Sequence, residues 1–454
     1  MFALSSIQPT QRPASGHPKR LLAGLLLAAA LLSSERVRAE PCNPDALCPS
    51  SPCVVTGSHV YEQGCFFDWT GKDVTIAGGA SLYAPNPGGD LDFLARNLTI
   101  DGAVEAKQAN SLFWEIEQNF TTRRTSGPGR VIFGSAKYYG LDSTINVGGS
   151  ATFGGSAFIL NGQYVRLNVS ASSVAVNGLI QVISLESDTS AVLGLNASTG
   201  SITITQPVVL NATGPFVGAN VLMFAPAGDI SVDGPLTATA RAVASYGSAL
   251  VSEGLVQLEA GGKITTSKKV TAPLGIELNA GTDLVVGGAL TAKGNGQFLR
   301  VGLSSGGSMQ LAKNITASGR GTLYAPVEAQ IQVQSSDALA ITGNLASSAR
   351  GPSSTASIDV SGRTVHVSKR VTTASGSAGS SSRLAYACSA DLTGAKFLTK
   401  ATGAGASASN RLVCPCTGAD NDGVCDSGCS NVVGLGPATA SPPFATSPNP
   451  QSCT

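Results

Sequence analysis

One apolar frame recurs along this chain and constrains its fold more than any other feature. Each copy has two apolar pairs, with three residues between the pairs that often include Gly, Asn or Pro. Leu98 and Ile100 form one first pair, and Val104 and Ala106 form its second pair. Eleven copies begin at Val74, Leu98, Ile145, Val174, Ile202, Ile230, Ile264, Leu284, Met309, Leu339 and Val365. The 47 residues between the starts at Leu98 and Ile145 predict one degenerate coil between them.

The frame predicts a stack of short strands. Alternating apolar residues mark a strand with one buried face, and pairs such as Asp101-Gly102 or Gly287-Gly288 tolerate the positive φ of a sharp turn. Two short strands cannot bury their apolar row alone, but stacked copies can. β-Hairpins in a sandwich or a β-propeller are the alternatives, although hairpins place turns every 8–12 residues. We therefore expect an all-β, right-handed parallel β-helix of about 12 coils over residues 71–375, with Cys-rich ends.

Residues 1–39 have the pattern of a secretory signal peptide. Lys19 and Arg20 precede a twelve-residue apolar run, Leu21 to Leu32, and Val37-Arg38-Ala39 resembles a cleavage site. A membrane anchor is the alternative, but twelve apolar residues are too few to span a bilayer. We expect a secreted, periplasmic or cell-surface protein with no transmembrane segment after cleavage.

Four cysteines follow, and the export signal places them where disulfides persist. Pro-rich spacing around Cys42, Cys48, Cys53 and Cys65 predicts a disulfide-stapled cap and first coil over residues 40–70. Such a cap covers the open end of a solenoid. A zinc site with His59 is the alternative, although these cysteines lack the usual C-x2-C spacing.

Two pairs of acids are the candidates for catalysis. Asp90 and Asp92 alternate on a predicted strand, as do Glu115 and Glu117, so each pair shares a face. Glycoside hydrolysis needs two carboxyl groups roughly 5–10 Å apart. Neither pair belongs to a recognised catalytic motif. The least regular segment, Ser111–Gly140, predicts either a loop that builds a functional surface or an insertion packed on the side of the stack.

The C-terminal part is compositionally distinct. The Ser-, Ala- and Gly-rich composition of residues 376–411 predicts a linker or loose coil. Residues 412–454 predict a Cys-rich, partly disordered tail. The second cysteine group allows fifteen pairings if all six cysteines are bridged, and consists of Cys388, Cys414, Cys416, Cys425, Cys429 and Cys453.

The tail contains an acidic run that can ligate calcium. Asp420, Asp422 and Asp426, with the carbonyl of Val424, place alternating oxygens around Gly423. The run resembles a half-loop of thrombospondin type 3 repeats, which implies a Ca²⁺ ion as its ligand. A disulfide-bonded Asx turn without metal is the alternative, and no other cofactor is expected.

The coil sequence also resembles a known group of proteins. Gly262–Gly294, GKITTSKKVTAPLGIELNAGTDLVVGGALTAKG, is similar to the repeats of filamentous-haemagglutinin-type and autotransporter passenger β-helices. The resemblance, over roughly residues 70–375, implies a non-enzymatic surface protein with an adhesive or structural role, whose partners are surface glycans or other cell-surface components. A carbohydrate-active β-helix enzyme of the polysaccharide lyase or glycoside hydrolase type is the alternative. The formal net charge of +1, without a large basic block, predicts no nucleic-acid partner.

Overall fold

A computed structural model describes residues 41–62, 64–135, 140–185, 189–214, 216–242, 251–294, 298–321, 326–376, 379–402, 407–413 and 433–435. The chain forms a parallel β-helix of about 12 turns, as the repeated frame predicts. Each complete coil contributes a strand to three faces, which we number in chain order. The single short helix among the described residues, α1, spans Pro44–Leu47 and precedes the first coil.

The first face is formed by the longest strands. Its strands are β3 (Cys65–Ile76), β5 (Leu91–Ile100), β7 (Ser111–Arg123), β9 (Leu141–Val147), β12 (Val165–Ala171), β15 (Thr189–Ala197), β18 (Phe216–Ala225), β21 (Val251–Glu253), β22 (Leu255–Ala260), β25 (Gly275–Ala280), β28 (Phe298–Ser305), β31 (Glu328–Ser335), β34 (Thr355–Val367), β36 (Gly379–Asp391) and β38 (Ser407–Val413). β39 (Val433–Leu435) pairs antiparallel with β38.

The second and third faces carry the two halves of the repeated frame. The second face contains the ends of β3, β5, β7, β34 and β36 together with β1 (Cys53–Val55), β10 (Ser150–Gly154), β13 (Ser173–Val176), β16 (Ile202–Ile204), β19 (Ile230–Val232), β23 (Ile264–Thr266), β26 (Leu284–Val286), β29 (Met309–Leu311) and β32 (Ala338–Ile341). The third face contains β2 (Ser58–Val60), β4 (Ser81–Pro87), β6 (Ala103–Ala109), β8 (Arg130–Ser135), β11 (Ala157–Gly162), β14 (Leu179–Leu185), β17 (Val208–Gly214), β20 (Leu236–Ala242), β24 (Val270–Ala272), β27 (Leu290–Gly294), β30 (Ile315–Arg320), β33 (Leu345–Arg350), β35 (Arg370–Ser375) and β37 (Lys396–Ala401).

The frame residues form the core, as predicted. Ile202 pairs in register with Ile230, and Ile230 pairs with Ile264, so the three side chains form one inward column. All three are 0% exposed. Neighbouring members of the column are about 4.8 Å apart, the spacing between paired strands. Each side chain is therefore covered by its neighbours in the adjacent coils as well as by the opposite faces.

The frame captures two of the three strands in each coil and misses the first face. The copy at Ile145 is also out of phase, because Ile145 lies on the first face in β9 and pairs with Val169 of the next coil. The degenerate coil that the spacing predicts is the coil of β7 and β8. Its second-face positions are Phe120 and Thr122, and a long corner separates them from Val131 in β8. Because Thr122 is polar and the corner is long, the apolar frame cannot be recognised in the sequence of this coil.

The described part of Ser111–Gly140 belongs to the stack, so neither a functional loop nor an insertion on the side forms between residues 111 and 135. Residues of β7 pair with β5 and β9, and β8 pairs with β6 and β11. Trp114, Phe120 and Phe133 are 0% exposed. The Trp114 ring lies 5.4 Å from that of Phe120 and 6.2 Å from that of Phe133, centroid to centroid. These three aromatic side chains fill the interior of the coil.

Close packing, not left-handed backbone geometry, explains the glycines in the frame. Gly102, Gly234 and Gly288 do not adopt positive φ, in contrast to the expectation from the turn sequences. A Cβ atom at Gly102 would lie 2.3 Å from a carbonyl oxygen of the preceding coil, and one at Gly288 would lie 1.9 Å from the Lys268 carbonyl oxygen. These corners therefore need glycine because consecutive coils approach each other there.

The N-terminal cysteines form a cap that differs from the regular coils. Disulfides join Cys42 to Cys65 and Cys48 to Cys53 beside α1. Trp69 Nε1 donates to the Pro44 carbonyl oxygen at 3.1 Å, which ties the cap to the first coil. At the other end, β36 pairs with β34 and with β38, so the described part of residues 376–411 continues the stack.

Candidate functional site

Two exposed phenylalanine rings flank a carboxylate on the first face of the N-terminal coils. Phe66 in β3 pairs in register with Asp92 in β5. Phe113 in β7 donates its backbone N–H to Asp92 Oδ1 at 2.6 Å. Phe66 is 50% exposed and Phe113 is 38% exposed, because their chain neighbours Phe67 and Trp114 occupy the core. We call Phe66, Asp92 and Phe113 the acid–aromatic patch.

The carboxyl group in this patch has an unusual affinity for protons. Burial raises the pKa of Asp92 from 3.8 to about 6, the hydrogen bond from Phe113 opposes the rise, and the nearby charge of Asp90 adds to it. A carboxyl group with a pKa near 6 is partly protonated in mildly acidic solution. It can then donate a hydrogen bond to a sugar oxygen, or act as a general acid.

Two of the other catalytic candidates from the sequence, Asp90 and Glu117, accept hydrogen bonds from backbone N–H groups. Asp90 Oδ1 accepts from the backbone N–H groups of Asn110 at 2.6 Å and Ser111 at 3.1 Å. Glu117 Oε1 accepts from the backbone N–H of Gly71 at 2.9 Å. Asp90, Asp92 and Glu117 therefore each tie one coil to another through the backbone. Such bonds satisfy donors at the edges of the strands.

Other Asp residues along the solenoid, none of them a catalytic candidate, accept backbone N–H groups in the same way. Asp101 Oδ1 accepts from Thr125 N at 2.8 Å, Asp229 Oδ1 from Lys263 N at 2.7 Å, and Asp283 Oδ1 from Ser308 N at 2.9 Å. Asparagine does likewise, as Asn344 N and Nδ2 donate to Asn314 Oδ1 at 3.3 and 3.0 Å. Asp and Asn at the corners of this fold therefore commonly accept hydrogen bonds from a neighbouring coil.

A shallow groove of about 350 Å³ is lined by residues of β7, β9, β12 and β15 and contains no residue of the patch. Glu115 and Glu117 line it together with Asn146, Ser170 and Asn196. Asp90 and Asp92 do not line this groove. The two acidic pairs therefore do not enclose one common substrate site, although register places Glu115 of β7 beside Leu94, two residues from Asp92.

The structure places the first four cysteines in disulfides, which leaves no thiolate for the zinc alternative. His59 Nε2 instead contacts the Thr56 carbonyl oxygen at 2.8 Å. Within the described residues, no three His, Cys, Asp or Glu side chains are grouped so as to hold a metal ion. The calcium candidates Asp420, Asp422, Val424 and Asp426 lie outside the described residues, as do Cys414, Cys416, Cys425, Cys429 and Cys453.

Sequence reasoning missed the acid–aromatic patch, although a signal was present. Two consecutive aromatic residues in a strand place one ring on each side of the sheet. Phe66-Phe67 and Phe113-Trp114 are such pairs, so one ring of each must face outward. Their approach to Asp92 depends on register between strands more than 20 residues apart and could not be read from the pairs alone.

Comparisons with known proteins do not assign this chain to a family. No family model, no curated protein and no solved structure matches it. No helix in the described residues is long and apolar enough to cross a membrane. The fold and the described surface therefore carry the functional argument.

Proposed function

We propose that this chain is an exported, non-enzymatic β-helical protein of the cell surface or extracellular space. Its stacked coils act as a rigid support for adhesion to surface glycans, and the acid–aromatic patch is the contact site. The signal-peptide pattern of residues 1–39 supports export. The two disulfides of the cap are consistent with an oxidising compartment.

The observation that carries the proposal is how the surface acids are used. Asp90 and Asp92 accept backbone N–H groups from the coil that follows, so both stabilise the stack. Glycosidases direct two carboxyl groups, one of them with a raised pKa, into a shared cleft. Of the two that line the groove here, Glu117 accepts a hydrogen bond from the backbone N–H of Gly71, and Asp92, whose pKa is raised, is not part of the lining. Exposed rings such as Phe66 and Phe113 offer flat apolar surfaces that can pack against sugar rings.

One observation favours the alternative of a carbohydrate-active enzyme. Asp92 combines a pKa of about 6 with flanking aromatic rings, which is the environment of a general acid in a glycosidase. The alternative also requires a second carboxylate that acts on the same substrate. By register, Glu115 of β7 and Asp68 of β3 both neighbour Leu94, two residues from Asp92, so either is a candidate.

The test uses the mature chain, from Glu40 onward, with immobilised cell-surface glycans and soluble polysaccharides. Binding without release of shorter sugars is the expected result. Phe66→Ala and Phe113→Ala are each expected to weaken binding severalfold, because each removes one stacking surface. Phe298→Ala is the matched control, since Phe298 is 45% exposed on the first face far along the stack.

Two outcomes would contradict the proposal. Equal binding by wild type, Phe66→Ala and Phe113→Ala would remove the patch as the contact site. Release of shorter sugars that is lost in Asp92→Asn would establish the enzyme alternative, because that variant retains the shape of the side chain but cannot transfer its proton.

A further inference from the structure

The third face of the last six coils, with the corner that leads into it, is uniformly basic. Its segments are residues 267–272, 287–294, 312–320, 342–350, 368–375 and 392–401, which contain no Asp or Glu. They contain ten exposed cationic residues, which we call the basic face: Lys268, Lys269, Lys293, Lys313, Arg320, Arg350, Lys369, Arg370, Lys396 and Lys400. The net charge of the chain conceals this surface, because acids elsewhere balance it.

Register aligns these cations in rows along the stack. Arg370 pairs directly with Lys396, and Asn314 and Asn344 occupy the same corner position in the two preceding coils. One residue earlier, Lys268 and Lys313 alternate with Gly288 and Gly343, and Lys369 follows in the next coil. Lysines two coils apart are separated by about 9.6 Å of stack. Like charges this close repel each other, so an anion laid along the row relieves that repulsion.

The cations of this face are not neutralised by neighbouring acids. Arg300 pairs with Glu277 on the first face at 3.6 Å, whereas none of the ten has an acidic partner among the described residues. The nearest acid along the chain is Asp391, which already contacts His366 Nδ1 at 2.9 Å and accepts from Thr393 N at 2.9 Å. Asp233 of the preceding coil accepts from Ser267, the residue before Lys268, so the first segment of the face has one adjoining acid. The segments that follow present their charge to a ligand.

Hydroxyl and amide groups accompany the charges. Thr271, Thr291 and Thr316 follow one another in register on the third face. An open groove of about 710 Å³ lies between the rows and is lined by Asn314, Thr316, Asn344, Ser368, Lys369, Arg370, Thr372 and Lys396, among others. These groups can hydrogen-bond to a hydroxylated polymer while the cations bind its charges.

From these observations we infer that the basic face binds a linear acidic polysaccharide, carrying carboxylate or sulfate groups, along the axis of the stack. The inference rests on the proposed adhesive role and adds a second contact site with its ligand class. Nucleic acid fits less well, because the segments of this face contain no exposed aromatic ring for stacking on bases. A membrane fits less well, because no large exposed apolar side chain lies among the cations to enter the lipid.

The experiment measures binding of the mature chain to a polyuronate, a sulfated glycan and a neutral glycan of similar length, at two salt concentrations. Duplex DNA and anionic phospholipid vesicles are measured beside them. We expect binding to one or both acidic polymers that is weakened by salt, and weaker binding to the neutral polymer, through the acid–aromatic patch alone, that salt leaves unchanged. The double variant Lys369→Gln/Arg370→Gln is expected to bind about tenfold more weakly. The matched control Lys263→Gln/Arg124→Gln removes the same charge from exposed residues outside the basic face and should bind like wild type.

Three outcomes would overturn the inference: equal loss in both double variants, no loss in either, or tighter binding to duplex DNA or anionic vesicles than to both acidic glycans. Phe113→Ala separates this site from the acid–aromatic patch. Acidic-glycan binding that survives in Phe113→Ala supports a separate basic site. If Phe113→Ala abolishes all acidic-glycan binding, the patch is the contact site and the basic face is not.

Discussion

Replacing Gly288 with alanine should locally break the stack, whereas the same change at Gly287 should be tolerated. The two residues are adjacent in one corner between β26 and β27. A Cβ atom at position 288 would lie 1.9 Å from the Lys268 carbonyl oxygen, but one at position 287 would lie 3.3 Å from the Thr266 carbonyl oxygen. Gly79 is a second control, because a Cβ atom there meets nothing within 4 Å.

The magnitude follows from the hydrogen bonds around Gly288. Relief of the clash requires consecutive coils to separate by more than about 1 Å at this corner. Gly288 N donates to the Thr266 carbonyl oxygen at 2.9 Å, and Val270 N donates to the Ala289 carbonyl oxygen at 2.9 Å, so both bonds must lengthen. Two weakened backbone bonds and the overpacking together cost about 3 kcal/mol. Gly79→Ala should instead be neutral or stabilise by up to about 1 kcal/mol, since alanine restricts the unfolded chain.

Urea unfolding followed by circular dichroism gives the free energies of unfolding for the three variants. Hydrogen exchange read by mass spectrometry shows where the stack opens. Faster exchange in Gly288→Ala should be concentrated in residues 255–294, because each coil of a solenoid contacts mainly its neighbours. A Gly288→Ala protein as stable as Gly79→Ala would refute the argument that close approach of coils requires glycine here.

The other predictions concern the core, the titrating carboxyl and the cysteine-rich ends. Ile230→Asp, at a 0% exposed column position, should destabilise the protein by more than about 4 kcal/mol in urea unfolding, because it buries an unpaired charge; wild-type stability would contradict the column. Folding raises the pKa of Asp92 from 3.8 to about 6. Ionisation of Asp92 therefore lowers the free energy of unfolding: the loss is absent below pH 3.8, grows between pH 3.8 and about 6, and is complete above that. Asp92→Asn should therefore stabilise the protein by about 1–2 kcal/mol at pH 7 and reduce the fall of the unfolding free energy with pH. If that fall is unchanged in the variant, a group other than Asp92 causes it. Non-reducing peptide mapping should find Cys42–Cys65 and Cys48–Cys53, and no bridge from them to the C-terminal cysteines, because a stack of about a dozen coils is on the order of 60 Å long. Calorimetry of the full mature chain should show weak calcium binding, roughly 10⁻⁴–10⁻³ M, that Asp422→Ala removes; no heat in the wild type would support the metal-free disulfide turn.

The sequence by itself determined the class of fold and the part of the core that lies on the second and third faces. The inward pairs, such as Ile202 with Ile204, follow from alternation within three residues, and their recurrence implies coils that must stack. The sequence also shows that one ring of Phe66-Phe67 must face outward, because consecutive residues of a strand point to opposite sides. These features are local, so they can be read before any contact between coils is known.

The tertiary structure decided everything that depends on which residues lie side by side across coils. The first-face strands, the close approach at Gly288 and the hydrogen bond from Phe113 to Asp92 all join residues 20 or more positions apart. Coils vary in length, so spacing along the chain does not give register. The basic face is the clearest case, since Lys268, Lys313 and Lys369 lie far from one another in the sequence. They form one row only because coils of unequal length are stacked at the constant spacing of a β-sheet.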